Sequence, residues 1–179
     1  MRLNESLDEA ALRVLEAKAG LTDVFLEQLY TFGEPERDPR SRVITVAYYA
    51  LVAAERLKEN RFSLHAPWEG ERGGAVSVTD ERGKRLKLAF DHADILGMAV
   101  GRLRGKLSYS PIGFQLLPER FTLRELQEVH EIILNKRLNK DSFRRKMLAS
   151  GALKATGDLE QNVTYRPAEL YEFIEGSAI

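Results

Sequence analysis

The chain has 179 residues, 44% of them hydrophobic, which suffices for one medium domain or two small ones with a proper core. Lys+Arg and Asp+Glu both total 27, so net charge carries no polyanion signal, and no apolar run is long enough to span a bilayer. With no cysteine, disulfides, thiolate zinc sites and a cysteine nucleophile are excluded, and an acidic N-terminus in place of a basic leader predicts a cytoplasmic protein away from the membrane.

Ser6-Leu-Asp-Glu9 is a capping box, and Leu7, Ala11, Val14 and Leu15 recur on one side until Gly20, which predicts a first amphipathic helix. Val24 to Phe32 alternates as a strand does, and the turn-rich stretch Gly33 to Arg40 follows it. Arg42 to Val52 is long, β-branched and aromatic, the pattern of a central strand. A short strand is expected from Phe62 to His65, then a loop from Pro67 to Gly74 anchored by Trp68. Ala75 to Thr79 and Lys84 to Ala89 should pair as a hairpin around Asp80-Glu-Arg-Gly83. From His92 to Arg104 the spacing is helical, with Ile95, Leu96, Ala99 and Leu103 on one side. Leu107 to Pro118 reads as extended, and the domain boundary is placed at its start, giving domains 1–106 and 107–179. Thr122-Leu-Arg-Glu125 is a second capping box; the helix it opens carries Leu123, Leu126, Val129, His130 and Ile133 on one stripe. After a tight turn at Asn135 to Asn139, Asn139 caps a helix from Lys140 to Ser150, stopped by Gly151. Strands at Ala152 to Thr156 and Pro167 to Phe173 then flank a polar stretch.

Charge is uneven along the chain. Between Lys136 and Lys154 lie seven basic residues, Lys136, Arg137, Lys140, Arg144, Arg145, Lys146 and Lys154, against the single acid Asp141. Helix, tight turn, basic helix and polar-tipped hairpin is the order of a winged helix-turn-helix, for which double-stranded DNA is the expected partner. Phe143 and Met147, one turn apart, should face the core, turning Asp141, Ser142, Arg145 and Ala149 outward with Arg144 and Lys146 on the flanks. Arg145 suits a bidentate contact to guanine, whereas Lys140, Arg144 and Lys146 suit phosphates. Asn139 and Ser142 can add hydrogen bonds, and Asn162, Thr164, Tyr165 and Arg166 form the wing tip. For each, a solvated surface side chain is the competing reading.

The first helix also resembles the Nudix box, G-x5-E-x7-R-E-U-x-E-E-x-G-U with U aliphatic: Glu5, Arg13, Leu15, Gly20 and Leu21 match at the correct spacing. Two further stretches carry a wider resemblance. They are Leu29 to Tyr48, and the tail from Ala89 to Phe173, whose specific parts are Ala89-Phe-Asp-His-Ala-Asp-Ile-Leu96, Arg102 to Leu107, Phe121 to Leu126 and Phe143-Arg-Arg-Lys-Met147. Together they resemble the Nudix-related transcriptional regulators over nearly the whole chain. The resemblance implies an α+β protein, a Nudix-like mixed-sheet domain followed by a winged helix-turn-helix. It further implies a homodimer on a palindromic operator, answering to a nucleotide or sugar-derived effector, which is ADP-ribose in members controlling NAD metabolism. The remaining box glutamates fall on Val14, Ala17 and Lys18, and the leading glycine would lie before Met1. Alanine and valine cannot ligate a cation and lysine repels one, so neither a metal site nor catalysis is expected, and no cofactor. The late start predicts a Nudix-like domain incomplete at its N-terminus, with the loop and hairpin from Pro67 to Ala89 covering part of the exposed sheet.

For the effector, Arg37 and Arg40 in Glu36-Arg-Asp-Pro-Arg40 are candidate phosphate ligands, against a rigid loop with internal Arg–Asp pairing. Tyr48 is a candidate for stacking on a base. His65, His92 and His130 lack ligand spacing and read as structural. Two alternatives stay open: a Nudix hydrolase of ADP-ribose or a related diphosphate, and a DNA-binding dimer blind to ligand.

Overall fold

Both halves of the first capping box form. The Ser6 hydroxyl accepts from the Glu9 N–H at 3.2 Å and the Glu9 carboxylate from the Ser6 N–H at 2.7 Å. They open α1 (Leu7–Ala19), which Gly20 closes at φ +64° by donating its N–H to Glu16. No residue of α1 is buried, so the apolar stripe read from the sequence leaves Leu7 and Val14 exposed.

This computed structural model describes residues 2–53, 56–57, 62–69 and 76–177. The chain divides into two units, Met1–Ala66 with Ala75–Ala99, and Pro67–Gly74 with Val100–Ile179. In the first, β1 (Phe25–Phe32) pairs antiparallel with β2 (Thr45–Leu51), from Phe25 opposite Leu51 to Phe32 opposite Thr45. The register shifts between Gln28 and Tyr30, and the extra residue, Leu29, is the one that β1 buries. The central position expected for Arg42 to Val52 does not hold among the described residues. There β2 bonds only to β1, because the later strands make a separate sheet. That sheet joins β3 (Ser63–His65), β4 (Ser77–Thr79) and β5 (Arg85–Leu86) in antiparallel order. The Asp80 carboxylate ties its turn by accepting the N–H groups of Arg82 and Lys84, each at 2.9 Å. Most of the loop expected from Pro67 to Gly74, and Ala75, lie outside the described residues. Helix α2 (His92–Lys106) gives its first half to this unit and its second half to the next.

In the second unit, the stretch read as extended holds a 3-10 helix, Pro111–Leu116. Pro111 at its start lacks only an N–H that the first turn would leave unpaired, and the short turn drives Ile112 and Phe114 into the core. Gly113 suits the close approach there: a Cβ would stand 3.1 Å from Cε1 of the buried His130, whose ring would have to shift by a few tenths of an ångström. Next come α3 (Leu123–Leu134), α4 (Lys140–Ala149), β6 (Leu153–Leu159) and β7 (Glu169–Phe173). Strands β6 and β7 form an antiparallel hairpin, and Phe121 joins its edge by exchanging N–H···O bonds with Tyr171 at 3.0 and 2.8 Å. Phe114, Phe121, Leu123, Leu126, Phe143, Met147 and Tyr171 make one cluster, with Phe114 stacked on Phe173 at 4.4 Å. Of the fifteen buried hydrophobic residues among those described, eleven belong to this unit. It therefore supplies the rigid base on which the basic residues are mounted.

Candidate nucleic-acid interface

The turn between α3 and α4 is fixed by a carboxylate. Glu131 accepts from Gln127 Nε2 at 2.9 Å, from the Leu138 N–H at 2.8 Å and from Arg137 at 2.7 Å. These donors hold its carboxyl at about 2, far below the usual 4.5, the Gln127 bond contributing most. Asn135 at φ +49° ends α3 in the left-handed conformation, and the Lys136 N–H reaches back to the Glu131 carbonyl. The chain then enters α4 through Asn139, whose side-chain oxygen accepts the Ser142 N–H at 3.0 Å. With one lone pair of that oxygen engaged, Asn139 offers a ligand chiefly its two amide hydrogens.

Helix α4 buries Phe143 and Met147, as their spacing predicted, and exposes Lys140, Ser142, Arg144, Arg145 and Lys146. The seven basic residues of this stretch divide by what they meet. Arg137 pairs with Glu131, Lys154 approaches Glu172 at 4.0 Å, and Lys136 lies 5.2 Å over the Trp68 ring. Lys140, Arg144, Arg145 and Lys146 make no ion pair among the described residues. Four cations on one short helix, with acid only at Asp141, are what a polyanion would meet.

The hairpin tip bears Asn162, at φ +59°, with Thr164, Tyr165 and Arg166, all exposed. Tyr165 is engaged within the unit: its hydroxyl donates to Glu160 at 3.1 Å and its ring lies 5.4 Å from the Arg124 guanidinium of α3. At the hairpin base, Arg120 bridges Asp158 at 2.8 Å and Glu172 at 3.1 Å. Between α3, the start of α4 and the tip lies a cleft of about 390 Å³, with Arg124, Lys140, Arg144 and Arg166 in its walls.

Glu131, Arg124 and Arg104 were missed in the sequence. Glu131 carries a signal, since an acid in the last turns of a helix opposes the helix dipole and calls for a specific partner. Arg104 is buried, donating to the carbonyls of Ile133 at 3.0 Å and Pro67 at 2.9 Å with its guanidinium 5.7 Å from the Trp68 ring. Its partners lie 29 and 37 positions away, beyond any local pattern.

The effector candidates of the first unit are held in place by neighbours. Arg37 is half-buried as a residue, its side chain 7% exposed, with a two-pronged bond to Asp91 at 2.8 and 3.0 Å and a third to the Thr45 hydroxyl at 2.7 Å. Arg40 is exposed, pairs with Asp38 at 2.8 Å and lies 4.8 Å over the Phe90 ring. That bond from Arg40 holds the Asp38 carboxyl at about 2. The Tyr48 hydroxyl donates to Asp8 at 2.5 Å, which pushes its own ionisation upward. On α1, the matching box residues meet each other: Arg13 donates to both Glu5 oxygens, at 2.9 and 2.6 Å, and this bond chiefly brings the Glu5 carboxyl to about 2. Val14, Ala17 and Lys18 are exposed where the box would place glutamates. None of these three side chains supplies a carboxylate.

A helix-turn-helix with an engaged wing, joined to a chain segment carrying a degenerate Nudix box, defines a two-part protein with a winged-helix module. Residues 113–173 match the model of the NrtR DNA-binding winged helix domain. The chain is 39% identical over 171 residues to the ADPR responsive transcriptional repressor NtrR of Acinetobacter baylyi, covering 95% of this chain and 64% of that protein. It thus spans somewhat less than two thirds of the length of that relative. Shewanella oneidensis NrtR, in a crystal structure complexed with a 27mer DNA, matches at 32% identity with TM-score 0.74, over 96% of this chain and 74% of that one. A MutT/nudix family protein from Enterococcus faecalis matches at 26% identity and TM-score 0.71, over 97% and 72% of the two chains. The chain belongs to the NrtR family of Nudix-related transcriptional regulators.

Proposed function

We propose that the protein is a ligand-responsive transcriptional repressor: a homodimer binds a palindromic operator through α4 and the wing, and the Nudix-like part, without catalytic activity, senses ADP-ribose or a related nucleotide or sugar derivative. The observation that carries this reading is α4 itself, a helix with two buried anchors and an outer face of Ser142, Arg144, Arg145 and Lys146 bearing no ion pairs among the described residues. The relatives' names support it: one is an ADPR responsive repressor and another was crystallised with DNA. Arg145, opposite Phe143 on the helix, is the base-reading residue; Lys140, Arg144 and Lys146 hold phosphates on the two flanks, and Asn139, Ser142, Asn162, Thr164 and Arg166 add hydrogen bonds to the backbone or groove. A protein acting on chromosomal DNA works in the cytoplasm, and among the described residues no helix is long and apolar enough to cross a membrane.

Sensing requires that the effector bind the DNA-competent and incompetent dimers with different affinity; occupancy alone shifts nothing. Arg40, the exposed arginine of the pair, is the better effector ligand, since three of the five N–H donors of Arg37 are already engaged by Asp91 and Thr45. Catalysis is disfavoured because Glu5, the box carboxylate that remains, is committed to Arg13.

The test separates reading from holding. Arg145→Ala should erase preference among duplex sequences while leaving the salt dependence nearly intact. Lys146→Ala should weaken all duplexes alike and reduce the slope of log affinity against log salt by about one unit. Equal affinity of the wild-type protein for a selected and a shuffled duplex would contradict specific regulation, and magnesium-dependent hydrolysis of ADP-ribose lost in Glu5→Gln would overturn the non-catalytic reading.

A further inference from the structure

The cleft beside α4 is enclosed by three separate elements, α3, α4 and the wing, and its charges are not evenly matched. Each of its four acids already has a donor. Glu131 is saturated by the turn, Glu160 accepts from Tyr165 and from the Ala168 N–H, Glu169 accepts from the Tyr171 hydroxyl at 2.7 Å, and Glu128 lies 3.3 Å from Arg124. Lys140, Arg144 and Arg166 have no carboxylate among the described residues. An anion entering this space meets cations from every wall.

Arg124 is the wall that the helix-turn-helix pattern does not account for. It stands in the first turn of α3, outside the basic stretch, and its partner Glu128 is one helical turn away on the exposed surface. An exposed pair of that kind is readily reorganised by a competing anion. What fixes the guanidinium is the wing: the Tyr165 ring lies 5.4 Å from it, while the Tyr165 hydroxyl is bonded to Glu160, just past the end of β6. The contact ties two elements about forty residues apart, and stacking leaves the guanidinium edge, with its N–H donors, able to take an oxyanion.

We propose that Arg124 is a further DNA-backbone ligand, positioned by Tyr165, and that one phosphate of the duplex seats in the cleft among Arg124, Lys140, Arg144 and Arg166. The proposal rests on the DNA-binding reading. With Arg145 pointing into the groove, the Lys140 and Arg144 flank faces one bordering strand and Lys146 the other, so the cleft lies where the first strand passes. Tyr165 is thereby a positioning residue, not a groove contact, and the wing acts partly by holding an arginine that another helix supplies.

The test is a salt titration of binding to a fluorescein-labelled mixed-sequence duplex by the full chain. Arg124→Ala should lower the slope by about one unit and the affinity roughly fivefold at 0.15 M salt, as expected for one counterion no longer released. Tyr165→Ala should lose affinity to a similar extent, and the double variant should be no worse than either alone, with Tyr165→Phe, which keeps the ring, restoring binding. Both side chains are exposed, so thermal melting should be unchanged. If the wild-type chain binds and Lys146→Ala lowers the slope but Arg124→Ala does not, the Arg124 proposal fails and the DNA reading stands. If Arg124→Ala acts but Tyr165→Ala adds to it independently, the positioning role fails. If the wild-type chain shows no salt-dependent binding, both fall together.

Discussion

At the scale of single residues, Glu131 does the most for the geometry of the interface. Its carboxylate gathers donors from the side chain of Gln127, the backbone of Leu138 and the guanidinium of Arg137, and so sets where α4 begins. Because its folded-state pKa is depressed to about 2 from 4.5, the stability it contributes is complete above pH 4.5 and is lost as pH falls toward 2. Glu5 and Asp38 are depressed by their arginines in the same way and share this acid limb. Glu131→Gln should therefore make the decline of melting temperature between pH 4.5 and 2 shallower than in the wild type. An unchanged acid limb would remove Glu131 from the account. Asn135 offers a second check, since its φ of +49° suits asparagine or glycine. Asn135→Val should cost about 1–2 kcal/mol of unfolding free energy, read by denaturant titration, while Asn135→Gly should be close to neutral.

At the scale of elements, the interface is as rigid as the packing beneath it. Leu126 and Met147 are among the most deeply buried side chains, one on each helix of the helix-turn-helix, whereas Leu148 is exposed. Leu126→Ala and Met147→Ala should each destabilise by about 2–5 kcal/mol and Leu148→Ala by well under 1 kcal/mol, the contrast that distinguishes core from groove-facing positions. Equilibrium denaturation with an unchanged m value is the appropriate measurement. What could be read from the sequence at this scale was whatever is local. The boxes at Ser6-Glu9 and Thr122-Glu125 and the Asn139 cap depend on residues three apart, and all three form. The Phe143–Met147 spacing likewise oriented α4 correctly. The 3-10 helix at Pro111–Leu116 escaped because its conformation answers to the packing of Phe114 on Phe121 and on Phe173, the last from the distant strand β7. The placement of β2 escaped for a related reason: a β-branched aromatic run reports that a strand is half-buried, not how many neighbours it has. Among the proposed site residues, chemical type was visible, but the engagement of Arg37 with Asp91, 54 positions away, and of Tyr165 with Arg124 was not.

At the scale of the whole molecule, the two units differ in how much apolar surface they bury. The aromatic and aliphatic cluster of the second unit lies entirely between Phe114 and Phe173, whereas among the described residues the first unit's buried hydrophobic residues are Leu21, Leu29, Ala66 and Val78. A fragment of residues 107–179 retains that whole cluster and should unfold cooperatively. If dimerisation belongs to the Nudix-like part, the fragment should bind duplex DNA with about half the salt slope of the full chain and without preference for a palindrome, one half-site replacing two. A fragment that matches the full chain on a palindromic duplex would place dimerisation elsewhere.

On the proposed function, α4 reads a particular DNA sequence and a small molecule controls the reading. The most direct measurement selects duplexes from a random pool with the full chain, then compares the affinity for the selected duplex with that for its shuffled counterpart, at fixed salt, with and without ADP-ribose. The expected result is a palindromic selected site, affinity for it at least about 10³-fold above the shuffled duplex, and a shift in that ratio when ADP-ribose is added. Equal affinity for selected and shuffled duplexes, at every salt concentration and with or without ADP-ribose, would contradict it.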